Sequence, residues 1–280
     1  MKKQPKHFFR KLFLTVLLLF SLLLYFGSKQ VPVLMYHFIG TGAQANFNQL
    51  VVTRETFEKQ INDLKKWGYR VYSLGEYYEI KSGRKKLPQK GVVITFDDGN
   101  RSFYEDVFPV LQRENIPVAN FLIWDNVSIP KNGSMTLQEI KELLKNPLIT
   151  FAAHTASHPI LIGMDDARLE REVVQSKKQL EAALGVPMPY FSYPGGYFDD
   201  RAFQKVKEAG YLLAFTTARR RLEGRPETLH SLVRLKMTEK DANPLLFWFK
   251  VSGVYTVLKK VKSTAFYHFP PTDAISPAVE

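Results

Sequence analysis

The sequence predicts an α/β fold, a distorted (β/α) barrel of about seven repeats set behind an N-terminal membrane segment. Three observations predict it. From residue 31 onward, short apolar runs of strand length alternate with stretches whose apolar residues recur at helical spacing. The strand-like runs are apolar at consecutive rather than alternate positions. Strands covered on both faces read this way, which favours a parallel sheet, closed or nearly closed, over its runner-up, an open doubly wound sheet. Ahead of the repeats stands a basic head, Lys2, Lys3, Lys6, Arg10 and Lys11, and then an apolar run from Leu12 to Phe26 interrupted by Thr15 and Ser21.

Taken in order, Leu12–Phe26 reads as an export signal, because it is apolar on every face and follows positive charge. Fifteen helical residues span about 22 Å, short of the roughly 30 Å hydrocarbon core, so length alone leaves a cleaved signal open. No small-x-small cleavage pattern ends the run, and Phe8 and Phe9 extend it. The reading is therefore an uncleaved anchor, cytoplasmic at its basic end, with the chain after about residue 30 outside the cell. Val31–Tyr36 reads as the first strand. Phe57, Ile61, Leu64 and Trp67 recur at helical spacing behind Thr53, and Gly68 stops that helix. Ser73 and Glu76 make a capping box, as do Thr136 and Glu139. Gly91–Phe96, Val118–Trp124 and Leu148–Ala153 read as strands, with a helix carrying Val107, Val110 and Leu111 between the first two. Asp166–Leu184 reads as a long helix closed by Gly185. Strands at Pro189–Tyr193, Tyr211–Thr216 and Leu232–Met237 follow, with a helix around Phe203 and Val206. The segment Pro244–Lys262 mixes aromatics with lysines and reads either as a helix lying on a membrane surface or as one packed on the barrel; after Phe269 the tail reads as disordered. The division is 1–29 head and anchor, 30–240 catalytic domain, 241–280 amphipathic segment and tail.

Composition narrows the chemistry. An apolar fraction of 45% supports a sizeable core. Lys and Arg number 39 against 27 acidic residues, a net charge of +12, which favours an anionic neighbour such as lipid headgroups or a wall polymer. No basic helix or aromatic RNA-binding motif organises that charge, which argues against nucleic acid. Cysteine is absent, so disulfides and thiolate metal sites are excluded and any metal must be held by His and carboxylate.

Three motifs fall where the reading places C-terminal strand ends, the catalytic end of such a barrel. Thr95-Phe96-Asp97-Asp98-Gly99 holds two adjacent carboxylates, which repel unless a cation or different surroundings divide their roles. His154-Thr155-Ala156-Ser157-His158 spaces two of the six histidines four apart, where one helical turn points both imidazoles to one side. With one carboxylate they make a His₂-Asp site that keeps positions open for water and substrate. Phe191-Ser192-Tyr193-Pro194-Gly195-Gly196-Tyr197 offers backbone N–H groups in a stiff, glycine-containing loop able to line a sugar site and hold an oxyanion. Alone, the first reads better as an Asp-Gly turn with a solvated acidic pair and the third as a plain turn, and the second has a helix-start histidine with a surface histidine as its alternative.

Together, over about residues 31–238, these motifs resemble the NodB-homology polysaccharide deacetylases of carbohydrate esterase family 4. Val33-Leu34-Met35-Tyr36-His37, the Phe57–Tyr69 segment and Ser192-Tyr193-Pro194-Gly195-Gly196 are most similar to the branch acting on poly-N-acetylglucosamine of biofilm matrices. The resemblance implies that Asp98, His154 and His158 bind a divalent metal, Zn²⁺ first, with Co²⁺, Ni²⁺ or Fe²⁺ suited to the same ligands. It implies that Asp97 is the general base, that the Gly195 N–H steadies the oxyanion, and that Tyr193, Pro194, Gly196 and Tyr197 line the sugar site. Where many relatives carry an Arg that orients the catalytic Asp, this chain has Ser192. Arg234 is the candidate substitute and a candidate substrate contact, with a surface or phosphate-facing role as the other reading. Leu229-His230 resembles the family's late Leu-x-His, whose His protonates the leaving amine, or is an ordinary loop histidine; His37 reads as a structural histidine at a strand end. The implied activity is N-deacetylation of an N-acetylglucosamine polymer at the cell envelope. Peptidoglycan, O-acetyl esterase action on xylan-like chains, and an inactive sugar-binding protein remain as alternatives.

Overall fold

Val33–Tyr36, the first barrel strand, pairs with a neighbour on each side and is buried along its whole length because the barrel interior covers one face and the helical layer the other. The computed structural model describes residues 6–41, 49–87, 89–131, 133–217 and 227–258. Its strands are β1 (Val33–Tyr36), β2 (Phe38–Gly40), β3 (Val51–Thr53), β4 (Arg70–Val71), β5 (Gly91–Asp97), β6 (Val118–Leu122), β7 (Ile149–Ala153), β8 (Tyr190–Ser192), β9 (Leu213–Thr217) and β10 (Leu232–Lys236). Seven of them form a closed parallel barrel in the order β1-β10-β9-β8-β7-β6-β5, and β5 returns to β1 with Val33 opposite Val93. On its other side Val33 lies opposite Arg234. Strand β4 adds to the outer edge of β5, and β2 and β3 form a separate parallel pair.

Side chains alternate between the barrel interior and the helical layer, as the strand period of two requires. Inside, Val33, Val93, Ala119, Phe121, Ala152, Phe215 and Leu232 pack as one cluster with Tyr72, Leu74 and Tyr77. Outside, Leu34, Ile94, Phe96, Leu122, Phe151, Phe191 and Leu235 pack with helix residues Phe57, Ile61, Val110 and Leu180. Continuing the inward register toward the strand C-termini passes from Val93 through Thr95 to Asp97, from Ala152 to His154, from Tyr190 to Ser192 and from Leu232 to Arg234. The polar residues of the candidate site are thus the upper rungs of ladders whose lower rungs are core.

The helices begin where the capping chemistry predicts. The Thr53 hydroxyl accepts from the Thr56 N–H at the start of Arg54–Lys66. Full capping boxes open Leu74–Lys81 and Leu137–Leu143. The long helix is continuous through Asp166–Leu169, Glu170–Gln175 and Ser176–Leu184, but its middle segment is a π-helix. Trp124 opens a short helix, Trp124–Ser128, instead of ending the preceding strand.

At the N-terminus the helix runs from Lys6 to Ser28, longer than the apolar run predicts. Phe9–Ser28 is long and apolar enough to cross a membrane, at about 30 Å for 20 residues. Helix Pro244–Val251 packs on the catalytic domain along one face. Phe247 and Val251 are buried, while Leu245 and Leu246 are exposed. The basic head before Lys6, Lys259 to Lys262, and the tail after Phe269 lie outside the described residues.

Candidate active site

Asp97 ends β5 and its side chain is buried against Arg234. One guanidinium nitrogen donates to Oδ1 at 2.7 Å and the other to Oδ2 at 2.6 Å, a bidentate pair. The same guanidinium donates to the Ser192 hydroxyl at 2.6 Å and the Thr95 hydroxyl at 3.2 Å, and lies between the faces of Phe121 and Phe215. Burial alone would raise the Asp97 carboxyl. The Arg234 charge and hydrogen bonds, with His154, outweigh it and hold the group at about 2. Asp98, the next residue, lacks that partner, and burial pushes its carboxyl up to about 6. Its backbone turns left-handed, φ 74°, so that two consecutive carboxylates point into different surroundings.

The histidine pair is not on a helical turn. His154 ends the inward ladder of β7, and residues 155–158 form a loop in which Thr155 (φ 66°) and His158 (φ 62°) both adopt left-handed backbone. Among the described residues four non-glycine positions have positive φ, and three of them lie in these two motifs, so strain is concentrated where the side chains converge. His154 Nδ1 lies 2.7 Å from the Ser192 carbonyl, which can only accept, so Nδ1 carries the proton and Nε2 is the free lone pair. Burial lowers the His154 imidazole to about 3, keeping it neutral.

Nε2 of His154 and of His158 stand 3.7 and 3.6 Å from Asp98 Oδ1. The three potential ligand atoms lie within 4.8 Å of one another, and Asp98 Oδ1 is buried without a hydrogen-bond partner among the described residues. A divalent cation at their centre fits both the donor set and the orphaned oxygen.

Glu172 had no signal in the sequence. From the π-helical segment it accepts from the Ala156 and Ser157 N–H groups at 2.9 and 2.8 Å and from the Ser157 hydroxyl at 2.8 Å. Its carboxylate takes three donors of the histidine loop at once. Glu172→Ala would leave buried N–H groups unpaired, at about 1–3 kcal/mol, and loosen the ligand loop. We expect a lower thermal midpoint and about 10- to 100-fold weaker metal affinity, with Glu172→Gln milder, measured by thermal denaturation and metal titration.

A cleft of about 550 Å³ opens over these groups, lined also by His37, Gly195, Tyr197, Lys236, Lys250 and Tyr255. The remaining predicted residues fall differently. Gly195 (φ 61°) and Gly196 (φ 78°) are in the cleft wall, and a Cβ on Gly196 would lie 2.5 Å from the Thr217 N. Pro194 is buried in the same turn. Tyr193 also lines the cleft but is 1% exposed, its ring stacked on Phe198 with centroids 4.0 Å apart and its hydroxyl donating to the His230 carbonyl. Arg234 reaches the cleft floor but is 1% exposed, its guanidinium engaged by Asp97 and Ser192.

His230 precedes β10 and therefore lies toward the N-terminal end of a parallel strand, away from the end that carries Asp97. Its ring contacts the Tyr211 carbonyl and Phe203, and it is not among the described residues that line the cleft. His37, read from the sequence as structural, lies in the cleft beside Asp97. Its Nε2 is 4.0 Å from Asp97 Oδ2, and its Nδ1 is buried without a partner among the described residues. A histidine following the inward-facing Met35 by two residues was the available signal.

The family described as polysaccharide deacetylase matches residues 84–214. Among curated proteins, YxkH of Bacillus subtilis is 30% identical over 188 residues, 67% of this chain and 64% of that protein. The poly-beta-1,6-N-acetyl-D-glucosamine N-deacetylase of Staphylococcus aureus (strain N315) is 27% identical over 176 residues, 59% of this chain and 60% of its own. The chain thus spans less than two thirds of the length of these relatives. Among solved structures, the Streptococcus pyogenes deacetylase PplD in complex with acetate superposes with a TM-score of 0.69 at 26% identity, covering 79% of this chain and 98% of that one. IcaB from Ammonifex degensii gives 0.68 at 27%, covering 79% and 97%.

Proposed function

Because the chain carries a polysaccharide deacetylase domain, we propose that it hydrolyses N-acetyl groups of an N-acetylglucosamine polymer at the cell envelope, poly-β-1,6-N-acetylglucosamine in first place. The observation that carries this reading is the split pair: Asp97 held ionised by Arg234, and beside it Asp98 grouped with two histidine nitrogens around a cation-sized gap. The relative named for poly-beta-1,6-N-acetyl-D-glucosamine supports the choice of polymer.

Asp98, His154 and His158 would hold the divalent ion, Zn²⁺ before Co²⁺, Ni²⁺ or Fe²⁺. When bound, such an ion acts as a Lewis acid toward the amide carbonyl and lowers the pKa of water in the site. Asp97 accepts the proton of the attacking water, and Arg234 keeps it ionised to do so. The oxygen adds to the acetyl carbon, and the Gly195 N–H helps hold the resulting oxyanion. His37, its Nε2 4.0 Å from Asp97 Oδ2, passes the proton taken by Asp97 on to the sugar amine, which leaves as acetate is released. Tyr197 and Tyr255 give the cleft aromatic walls for sugar rings.

Incubating the full chain with poly-N-acetylglucosamine, peptidoglycan and acetylxylan in parallel tests the reading. Acetate and new primary amines should appear together, most with the first. Acetate from acetylxylan without amine release from either N-acetylated polymer would contradict it.

A pH dependence follows from Asp98. The ion needs its carboxylate form, and burial has raised that group to about 6. Protons therefore compete as pH falls through about 6, so metal affinity should drop there, while above it binding should release little proton. Calorimetric titration on both sides of that pH checks the sign.

A further inference from the structure

The anchor helix does not simply trail into the catalytic domain; its last turn is interlocked with it. Gly27 is buried, and a Cβ there would lie 2.7 Å from the Ser252 oxygen and 3.1 Å from the Val254 nitrogen. Gly253 is its counterpart: a Cβ on it would lie 2.3 Å from the Gly27 oxygen, and its φ of 77° suits glycine. Two glycines thus let two backbones touch. One turn earlier, Leu23 and Leu24 are half-covered, whereas the rest of the span is exposed.

The turn that receives Gly27 connects helix Pro244–Val251 to the segment ending at Leu258. Along these elements Leu245 is 75% exposed, Leu246 48% and Leu258 43%, apolar surface without a protein partner among the described residues. It adjoins the end of a helix long and apolar enough to span a bilayer. Lys29, just past that end, lies over the Tyr25 ring, the pairing of cation and aromatic common at a headgroup boundary. Lys250 and Tyr255, on either side of the same turn, line the cleft.

We infer that the Gly27–Gly253 interlock makes the anchor and the catalytic domain one body, and that Leu245, Leu246 and Leu258 rest in the lipid interface as a second membrane contact. The inference rests on the uncleaved-anchor reading. It gives the domain a fixed attitude on the bilayer, with the Lys250–Tyr255 wall of the cleft next to the lipid, so polymer is engaged close to the membrane.

The absence of cysteine makes the test direct. Single variants Leu18→Cys, Leu245→Cys, Leu246→Cys and Lys178→Cys of the full chain are labelled with a nitrobenzoxadiazole fluorophore. They are reconstituted into vesicles of phosphatidylcholine and phosphatidylglycerol, with and without doxyl-labelled lipid. Leu18 and Lys178 mark the span and the far side of the barrel. Labels at 245 and 246 should show blue-shifted emission and lose most of it to the lipid quencher, approaching Leu18 and unlike Lys178. Adding Gly27→Val should reduce the quenching at 245 while leaving Leu18 quenched. Quenching at 245 no greater than at 178, with Leu18 quenched, overturns the contact. A shift at 245 that follows protein density and ignores the lipid quencher overturns it in favour of a second copy. An unquenched Leu18 overturns the anchor premise itself.

Discussion

Asp97→Asn should retain the metal and lose turnover by about 10²- to 10⁴-fold, the span of a general base. The amide keeps the shape of the carboxylate, so Asp98, His154 and His158 stay in place. It removes the charge that Arg234 was built around, and a buried guanidinium without its anion costs about 3–5 kcal/mol. Two readouts therefore belong together, amine release from the polymer and metal content of the folded variant. Retained activity would remove Asp97 as the base; loss of metal together with activity would make it a ligand instead.

The second large effect is at Arg234. Arg234→Met fits the slot between Phe121 and Phe215 but leaves the Asp97 carboxylate buried with no cation. In the wild-type chain the depressed Asp97 contributes stability that is present above the ordinary carboxyl value of 3.8 and is lost as pH falls toward about 2. Without Arg234, burial dominates and the group rises, so the variant should be less stable at neutral pH by about 3–5 kcal/mol. Its activity should be reduced across the neutral range, with the acid limb of the pH–rate profile moved upward. Arg234→Lys should recover part of the activity but not the bidentate geometry. A variant whose pH profile does not move would show that Arg234 is merely structural.

These residues also show what the sequence could and could not tell. Helix starts were legible at Thr53, Ser73 and Thr136 because a capping hydroxyl acts within three residues. Barrel strands were legible because burial on both faces removes the alternation, and the Asp-Asp and His-x-x-x-His motifs because few neutral-pH chemistries need those types together. The route by which the histidines meet was not legible: a four-residue spacing suggests a helical turn, but β7 ends at Ala153 and left-handed backbone at Thr155 and His158 does the work. Glu172 was invisible because its partners lie 15 and 16 residues away and meet it only through tertiary packing.

That His37, rather than His230, lies in the cleft was hidden for a similar reason. Sequence order does not say at which end of a strand a residue lies. In a parallel barrel a residue before a strand and a residue after one are at opposite ends, so Leu229-His230 sits low and His37 sits in the cleft. Arg234 was named as the candidate to orient Asp97 only through the family resemblance, since the pairing of β1 with both β10 and β5, which brings it within reach of Asp97, cannot be read from sequence order.

The most direct measurement is calorimetric titration of Zn²⁺ or Co²⁺ into the chelator-treated full chain at neutral pH, beside Asp98→Ala and His154→Ala. We predict one tightly bound ion per chain in the wild type and loss of that binding in both variants. Unchanged binding in the variants, or none in the wild type, would contradict a metal centre at Asp98, His154 and His158.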